Sequence, residues 1–295
     1  MGGFVDYSKY DILMKIPQKV VPRTFLIKKE DSLNQVLNHI NSGDISYPFI
    51  LKPDRGQRGF SVEKIKDETH LKDYIEKNNT IHDLQEYIGF ELEFGVLYYR
   101  LPDEERGNIS SVVQKVFMTV TGDGESNLLT LFKKSERAQF YIPMLTELFR
   151  DRLNEIPEKG KVLKLTEVGN HCKGATFYNA NHLINERLID TFDTLSKQID
   201  GFYFGRYDLK VEAVEDLYAG NFMVVELNGV NSEPAHIYDP NMSLYKAYAV
   251  MFKHWKTIFR ISTRNHKKGH PYMNNSEGIA HVRNHYKRRK VEVKA

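Results

Sequence analysis

The sequence predicts an α+β fold built on antiparallel sheets, and three features of the chain predict it. Tyr47 to Lys52 and Phe60 to Ile65 read as the two arms of a hairpin, followed by a helix and two further strands rather than by a regular strand and helix alternation. Phe202 to Val214 and Asn221 to Val230 are β-rich and separated by a polar stretch ending at Gly220, the pattern of an antiparallel pair in a core sheet. Two segments keep helical spacing instead: Leu33, Val36, Leu37 and Ile40, and later Ile184, Leu188, Phe192, Leu195 and Ile199.

Taken in order, Met1 to Lys29 holds short apolar runs broken by Pro17 and Pro22, with Val20 to Ile27 reading as a strand or a strand-entry segment. The first helix should stop at Gly43. Asp67 is placed to cap a helix running to Lys77, and His82 to Ile88 and Glu91 to Arg100 are strands around Gly89. Asn108 to Val120 reads as one long strand ended by the turn Gly122-Asp123-Gly124, with two helical stretches after it. The last strong helix is expected over Ser243 to Ile261, and the remainder is polar and basic. The expected organisation is a short N-terminal segment over 1–30, a smaller unit over 31–100, a larger one over 101–265 and a basic tail over 266–295.

Composition narrows the function classes. A chain of 295 residues with 41% hydrophobic content can bury a substantial core, which excludes disorder and a disulfide-stapled miniprotein. The net charge of +3 names no ligand. Cys172 is the one cysteine, so neither an internal disulfide nor a cysteine-rich metal cluster can form. No signal-peptide pattern and no bilayer-length apolar run occurs, and a soluble, reducing, cytoplasmic setting without membrane contact is expected. The basic run Lys287 to Lys290 lacks interleaved aromatics, so a solvated tail is expected rather than a nucleic-acid platform.

Two constellations carry chemistry. Lys52 ends a strand and leads into Pro53-Asp54-Arg55-Gly56-Gln57-Arg58-Gly59, a loop whose glycines let backbone N–H groups approach phosphate oxygens while the lysine supplies a compact charge. It is not a Walker A sequence, and alone it equally suits an ordinary charged hairpin turn. The second constellation is Asp208, Glu226 and Asn228, an all-oxygen set that suits Mg²⁺. Strand alternation puts Arg206 with Asp208, and Glu226 with Asn228, each pair on one face, so both can point into one cleft. A carboxylate set among Val224, Val225 and Leu227 needs a partner or a metal.

Lys52 with its glycine-bearing loop, Gln85-Glu86-Tyr87-Ile88, Glu93, Lys115, Arg206-x-Asp208 and Glu226-x-Asn228 resemble, in order and spacing, the signature of ATP-grasp enzymes. The branch most resembled is the carboxylate-amine ligases that include D-alanine-D-alanine ligase, over about Val21 to Ile261. The resemblance implies two α+β subdomains gripping ATP between antiparallel sheets. It implies adenine against Gln85, Glu86, Tyr87 and Ile88, ribose on Glu93, and phosphates beside Lys52 and Lys115 under Arg55, Gly56, Arg58 and Gly59. Asp208, Glu226 and Asn228 would hold Mg²⁺, and Arg206 would face the transferred phosphoryl group. The implied activity joins a small carboxylate, such as an amino acid, to an amine through an acylphosphate; the alternative is an ATP-binding regulatory module without turnover.

Departures from that pattern matter too. Members of the branch usually carry a full N-terminal α/β domain, whereas about thirty residues precede the first helix here, so a partner subunit that completes the substrate site is an expectation. The segment after the metal residues also differs, and Ser232, Glu233, His236 and Asp239 are candidates for recognising an amine. Asn170 and His171, between Gly169 and Gly174, are candidates for lining the acceptor site; an ordinary turn is the competing account.

Overall fold

A computed structural model describes residues 7–55, 61–77, 80–166 and 174–292, and antiparallel sheets organise them. The smaller sheet contains β1 (Thr24–Ile27), β2 (Phe49–Pro53), β3 (Glu63–Ile65) and β4 (His82–Glu86) in the order β1-β4-β2-β3. Alternation divides its faces. Phe49, Leu51, Ile65 and Leu84 point to a core closed by Val36 and Ile40 of α2 (Leu33–Ser42) and by Leu71 and Tyr74 of α3 (Glu68–Lys77). Burying each such aliphatic or aromatic side chain contributes about 1.5–3 kcal/mol. Both helices start where the sequence provides a cap: Ser32 and Gln35 form a reciprocal capping box, and Asp67 accepts the N–H of His70 at 2.8 Å. Lys52, Asp83 and Gln85 share the opposite face, because Lys52 pairs with Asp83 and Ile50 with Gln85.

The larger sheet takes β5 (Leu92–Tyr99) at its centre, beside β6 (Asn108–Val116). Phe117 and Met118 interrupt the expected long strand, and β7 (Thr119–Thr121) turns away to pair with β8 (Val162–Lys164) as a separate ribbon. That ribbon packs over α4 (Leu128–Lys134) and α5 (Ile142–Leu148), where Met118 and Val120 meet Leu131, Phe132 and Leu145. The sheet is completed by β9 (Thr176–Asn179), β10 (Phe204–Val211) and β11 (Met223–Asn228), in the order β11-β10-β5-β6-β9. Phe94, Val96, Tyr98, Tyr207 and Leu209 face a core shared with Leu188 and Phe192 of α6 (Glu186–Lys197) and Leu217 of α7 (Val214–Ala219). Ile12 and Leu13 of α1 (Lys9–Leu13) join the same core.

Several elements differ from the sequence expectation for identifiable reasons. The α6 helix begins at Glu186, because the Asn185 side chain accepts the Leu188 N–H and caps it, leaving Ile184 outside. The polar stretch between β10 and β11 contains α7, too short for a periodic signal. The last strong helix is α8 (Leu244–Lys267), longer than expected at its C-terminal end. The segment read as a solvated tail contains α9 (Asn275–Glu292), whose described side chains are mostly exposed. Among the described residues no helix is long and apolar enough to cross a membrane.

Candidate functional site

The polar face of the larger sheet is a lattice of opposite charges set by register. Arg206 lies directly across from Asn228 and Asp208 from Glu226, while Glu93 lies across from Lys115. These side chains therefore share the face opposite the Phe94 and Tyr207 core. Lys115 donates to Glu93 Oε1 at 2.9 Å and lies 3.4 Å from Asp208 Oδ2. Arg206 donates to both Asp208 oxygens, at 2.9 and 3.3 Å, and Asn228 Nδ2 donates to Oδ2 at 3.1 Å. Burial works against the Asp208 carboxylate, but Arg206 and Lys115 outweigh it and hold its pKa below the usual range. Burial likewise opposes the Lys115 ammonium, and Asp208 and Glu93 together raise it above its ordinary value. The result is a desolvated set of fixed charges that cost little to reorganise.

Gly95 makes room for this lattice. It sits across from Asp208 in β10 and Val113 in β6, and a Cβ there would lie 2.9 Å from Val113 Cγ1 and 3.2 Å from Asp208 Oδ1. Any side chain at this position would force Val113 aside and crowd the Asp208 and Arg206 pair.

Lys52 brings the smaller sheet to the same place. Its buried ammonium donates to Gln85 Oε1 at 3.0 Å and across the cleft to the Val225 carbonyl at 2.9 Å. Burial lowers its pKa, with Asp83 and Glu226 opposing that shift. Gln85 is fixed in turn by a bond from its amide to Thr24 Oγ1 at 3.1 Å. Glu86 points to the other face, where Arg23 holds its carboxylate at 2.9 Å. Tyr87 lies beneath Lys64, 4.0 Å from ammonium to ring centroid, and the Ile88 carbonyl accepts from Lys210 at 3.1 Å. Arg55 lies 3.7 Å from Asp54. Gly56, Arg58 and Gly59, and likewise Asn170 and His171, lie outside the described residues.

Four participants were not singled out from sequence: Tyr7, Asp83, Gly95 and Lys210. The Tyr7 hydroxyl donates to Asn228 Oδ1 at 3.2 Å, and burial raises its pKa, with Glu226 adding to the effect. Lys210 lies across from Glu93 and ties β10 to the Ile88 and Phe90 carbonyls. The periodicity of β10, which fixes Arg206 and Asp208 on one face, also carries Lys210 to that face and was the available signal for it. Tyr7 and Asp83 gave none, because their roles come from contacts across the chain.

Asp83 is fully buried, and neither carboxylate oxygen has a hydrogen-bond partner among the described residues. Burial pushes its pKa up to about 7, with Lys52 pulling it down and Asp54 pushing it further up. A carboxyl whose pKa rises on folding binds its proton more tightly in the native state, so its contribution to stability falls as pH climbs from about 4 to 7. Asp83→Asn is therefore expected to gain stability relative to the parent between pH 5 and pH 8, by at most about 3 kcal/mol. Urea unfolding at the two pH values measures this; a difference between the proteins that does not change with pH would exclude it.

The amine-recognition candidates sit beside the lattice, each held by hydrogen bonds within the fold. His236 is buried, and its Nδ1 is hydrogen-bonded with Ser111 Oγ at 2.7 Å; burial lowers its pKa. Ser232 donates to the Gly229 carbonyl at 2.6 Å and closes a turn. The Glu233 carbonyl accepts from Arg206 at 3.2 Å, and its carboxylate accepts from the Tyr238 hydroxyl. Asp239 accepts the Asn179 N–H at 2.7 Å and fastens this segment to β9.

The donor set fits a nucleotide-borne Mg²⁺ better than a dedicated metal cage. Among the described residues no group of three His, Cys, Asp or Glu side chains is arranged to hold a metal ion. Mg²⁺ that arrives with phosphates needs only one or two carboxylates. Glu226 supplies an open one: it is half-buried, and its carboxylate accepts no hydrogen bond among the described residues, whereas both Asp208 oxygens already face cations.

No family model matches the chain, and no curated protein matches it. Among solved structures it is similar to a D-alanine–D-alanine ligase from Bacillus anthracis, at 14% identity and a TM-score of 0.48, over 89% of this chain and 69% of that one. It is similar to a D-Ala:D-Ser ligase from Enterococcus faecalis at 14% identity and a TM-score of 0.46, over 84% of this chain and 61% of that one. A bifunctional glutathione synthetase from Pasteurella multocida is matched at 14% identity and a TM-score of 0.41, over 86% of this chain and 38% of that one. The chain thus spans well under two thirds of the glutathione synthetase and about three fifths of the D-Ala:D-Ser ligase.

Proposed function

We propose that this chain is an ATP-dependent carboxylate-amine ligase of the ATP-grasp type, acting on an amino acid or another small carboxylate through an acylphosphate. The observation that carries the reading is the meeting of Lys52 from one antiparallel sheet with the lattice on the other, where Lys115 and Asp208 are buried and Arg206, Glu226 and Asn228 half-buried. Phosphoryl transfer asks for charge neutralisation and alignment more than for covalent help, and this face supplies both. Lys52 and Lys115 bind and orient phosphate oxygens, and Arg206 stabilises charge on the transferred group. Gln85 to Ile88, at the end of the smaller sheet, offer the adenine its edge, with Lys210 holding the local backbone in place. Asp208, Glu226 and Asn228 would hold Mg²⁺, which neutralises phosphate charge when bound. The substrate carboxylate attacks the γ-phosphorus with loss of ADP, and the amine then displaces phosphate to leave an amide.

Titration with ATP by calorimetry, with and without Mg²⁺, tests the reading when followed by ADP release against pooled amino acids and amines. Mg²⁺-dependent binding is expected, with ADP release that requires both substrate classes. Binding without stimulated release would replace the ligase with a nucleotide-binding module. No binding would remove the assignment.

A further inference from the structure

The α8 helix carries a row of aromatic side chains that the fold leaves uncovered. Tyr245, Tyr248, Phe252, Trp255 and Phe259 are all exposed, and the least exposed, Trp255, is at 49%. Their spacing alternates three and four residues, so the row repeats every seven. The helix turns by about 100° per residue, which sets this row on one shoulder, away from the side where His254 and Ile261 are buried. On the remaining side Lys246, Lys253, Arg260 and Lys267 also recur every seven residues, exposed and outside any salt bridge among the described residues. No Asp or Glu occurs in α8.

We propose that this face docks an acidic amphipathic helix of a partner protein. A shared seven-residue period in both the apolar row and the basic row matches a rod of the same period, which is the seam geometry of paired helices. Tyr, Phe and Trp are the side chains that concentrate binding energy at the centres of protein interfaces. The basic ladder sets the sign of the partner. A second copy paired through α8 would bring two basic ladders together with no carboxylate from either helix to answer them. This inference stands apart from the nucleotide site, and its failure leaves that reading untouched.

Trp255 is the chain's one tryptophan and lies in the row, so its emission reports whether the face is covered. The probe is a synthetic three-heptad peptide with leucine at the seam and glutamate on its flanks, added to the full chain. Emission is expected to move to shorter wavelength and saturate, with affinity at least ten-fold weaker for Phe252→Ser. A variant with Lys253→Glu and Arg260→Glu is expected to prefer the same peptide with lysine flanks. Circular dichroism verifies that both variants fold. No shift, or a shift indifferent to peptide charge, overturns the proposal. It is also overturned by sedimentation showing self-association that Phe252→Ser abolishes, or by a shift with phosphatidylglycerol vesicles and none with the peptide.

Discussion

Replacing Asp208 with alanine is expected to abolish Mg²⁺-dependent ATP binding and to cost about 3–5 kcal/mol of folding stability. Both effects come from the same carboxylate. Asp208 is the common partner of Lys115, Arg206 and Asn228, each of which presents a donor to it, while Glu226 lies across from it on β11. Its removal leaves the buried Lys115 ammonium beside the half-buried Arg206 guanidinium, with Glu93 the one carboxylate among the described residues still hydrogen-bonded to Lys115. Asp208→Asn separates the two effects, because it keeps the volume and an acceptor oxygen but removes the charge. It is expected to fold with a smaller penalty and still to lose metal-dependent binding. Calorimetry with Mg²⁺ and urea unfolding of the three proteins measure this. Parental nucleotide affinity in either variant would remove Asp208 from the proposed metal set.

Lys52→Met is expected to weaken ATP binding at least about ten-fold, equivalent to about 1.4 kcal/mol. Methionine keeps most of the stem and deletes the ammonium, so packing is largely conserved. The substitution leaves Gln85 Oε1 and the Val225 carbonyl without their donor, and removes the cation that opposes the rise in the Asp83 pKa. The parent is expected to gain thermal stability from saturating ATP and Mg²⁺ in proportion to its affinity, and the variant to gain less. Equal thermal shifts would place Lys52 outside the phosphate contacts and leave it a structural link between the sheets.

The legible parts of the sequence were those governed by short-range rules. Alternation in β10 and β11 already placed Arg206 with Asp208 and Glu226 with Asn228, and the structure pairs these strands in that register. Gly43 and Asp67 marked helix ends because capping is local. What could not be read depends on distant contact. Asp83 looked like one polar residue in a strand, and only the pairing of β4 with β2 reveals it as a buried carboxylate beside Lys52. Gln85 and Glu86, adjacent in sequence, part to opposite faces, one toward Lys52 and the other to Arg23. The break at Phe117 and Met118 was hidden because both residues suit a strand, and what separates β6 from β7 is the choice of partner.

The start of the described chain has a bearing on how the cleft can open. Ser8 and the Tyr10 N–H both hold Asp54 at the end of the smaller sheet, at 2.7 and 3.0 Å, while one residue earlier Tyr7 reaches Asn228 on the larger sheet. A few consecutive residues thus stitch the two layers at the mouth, independently of Lys52. Spreading the layers strains the attachment at one end or the other, so admission of a ligand and attachment of this stitch are coupled. By reciprocity, a guest that needs the stitch loosened is released more readily when it refastens, and a guest that needs it fastened holds it shut to the same degree.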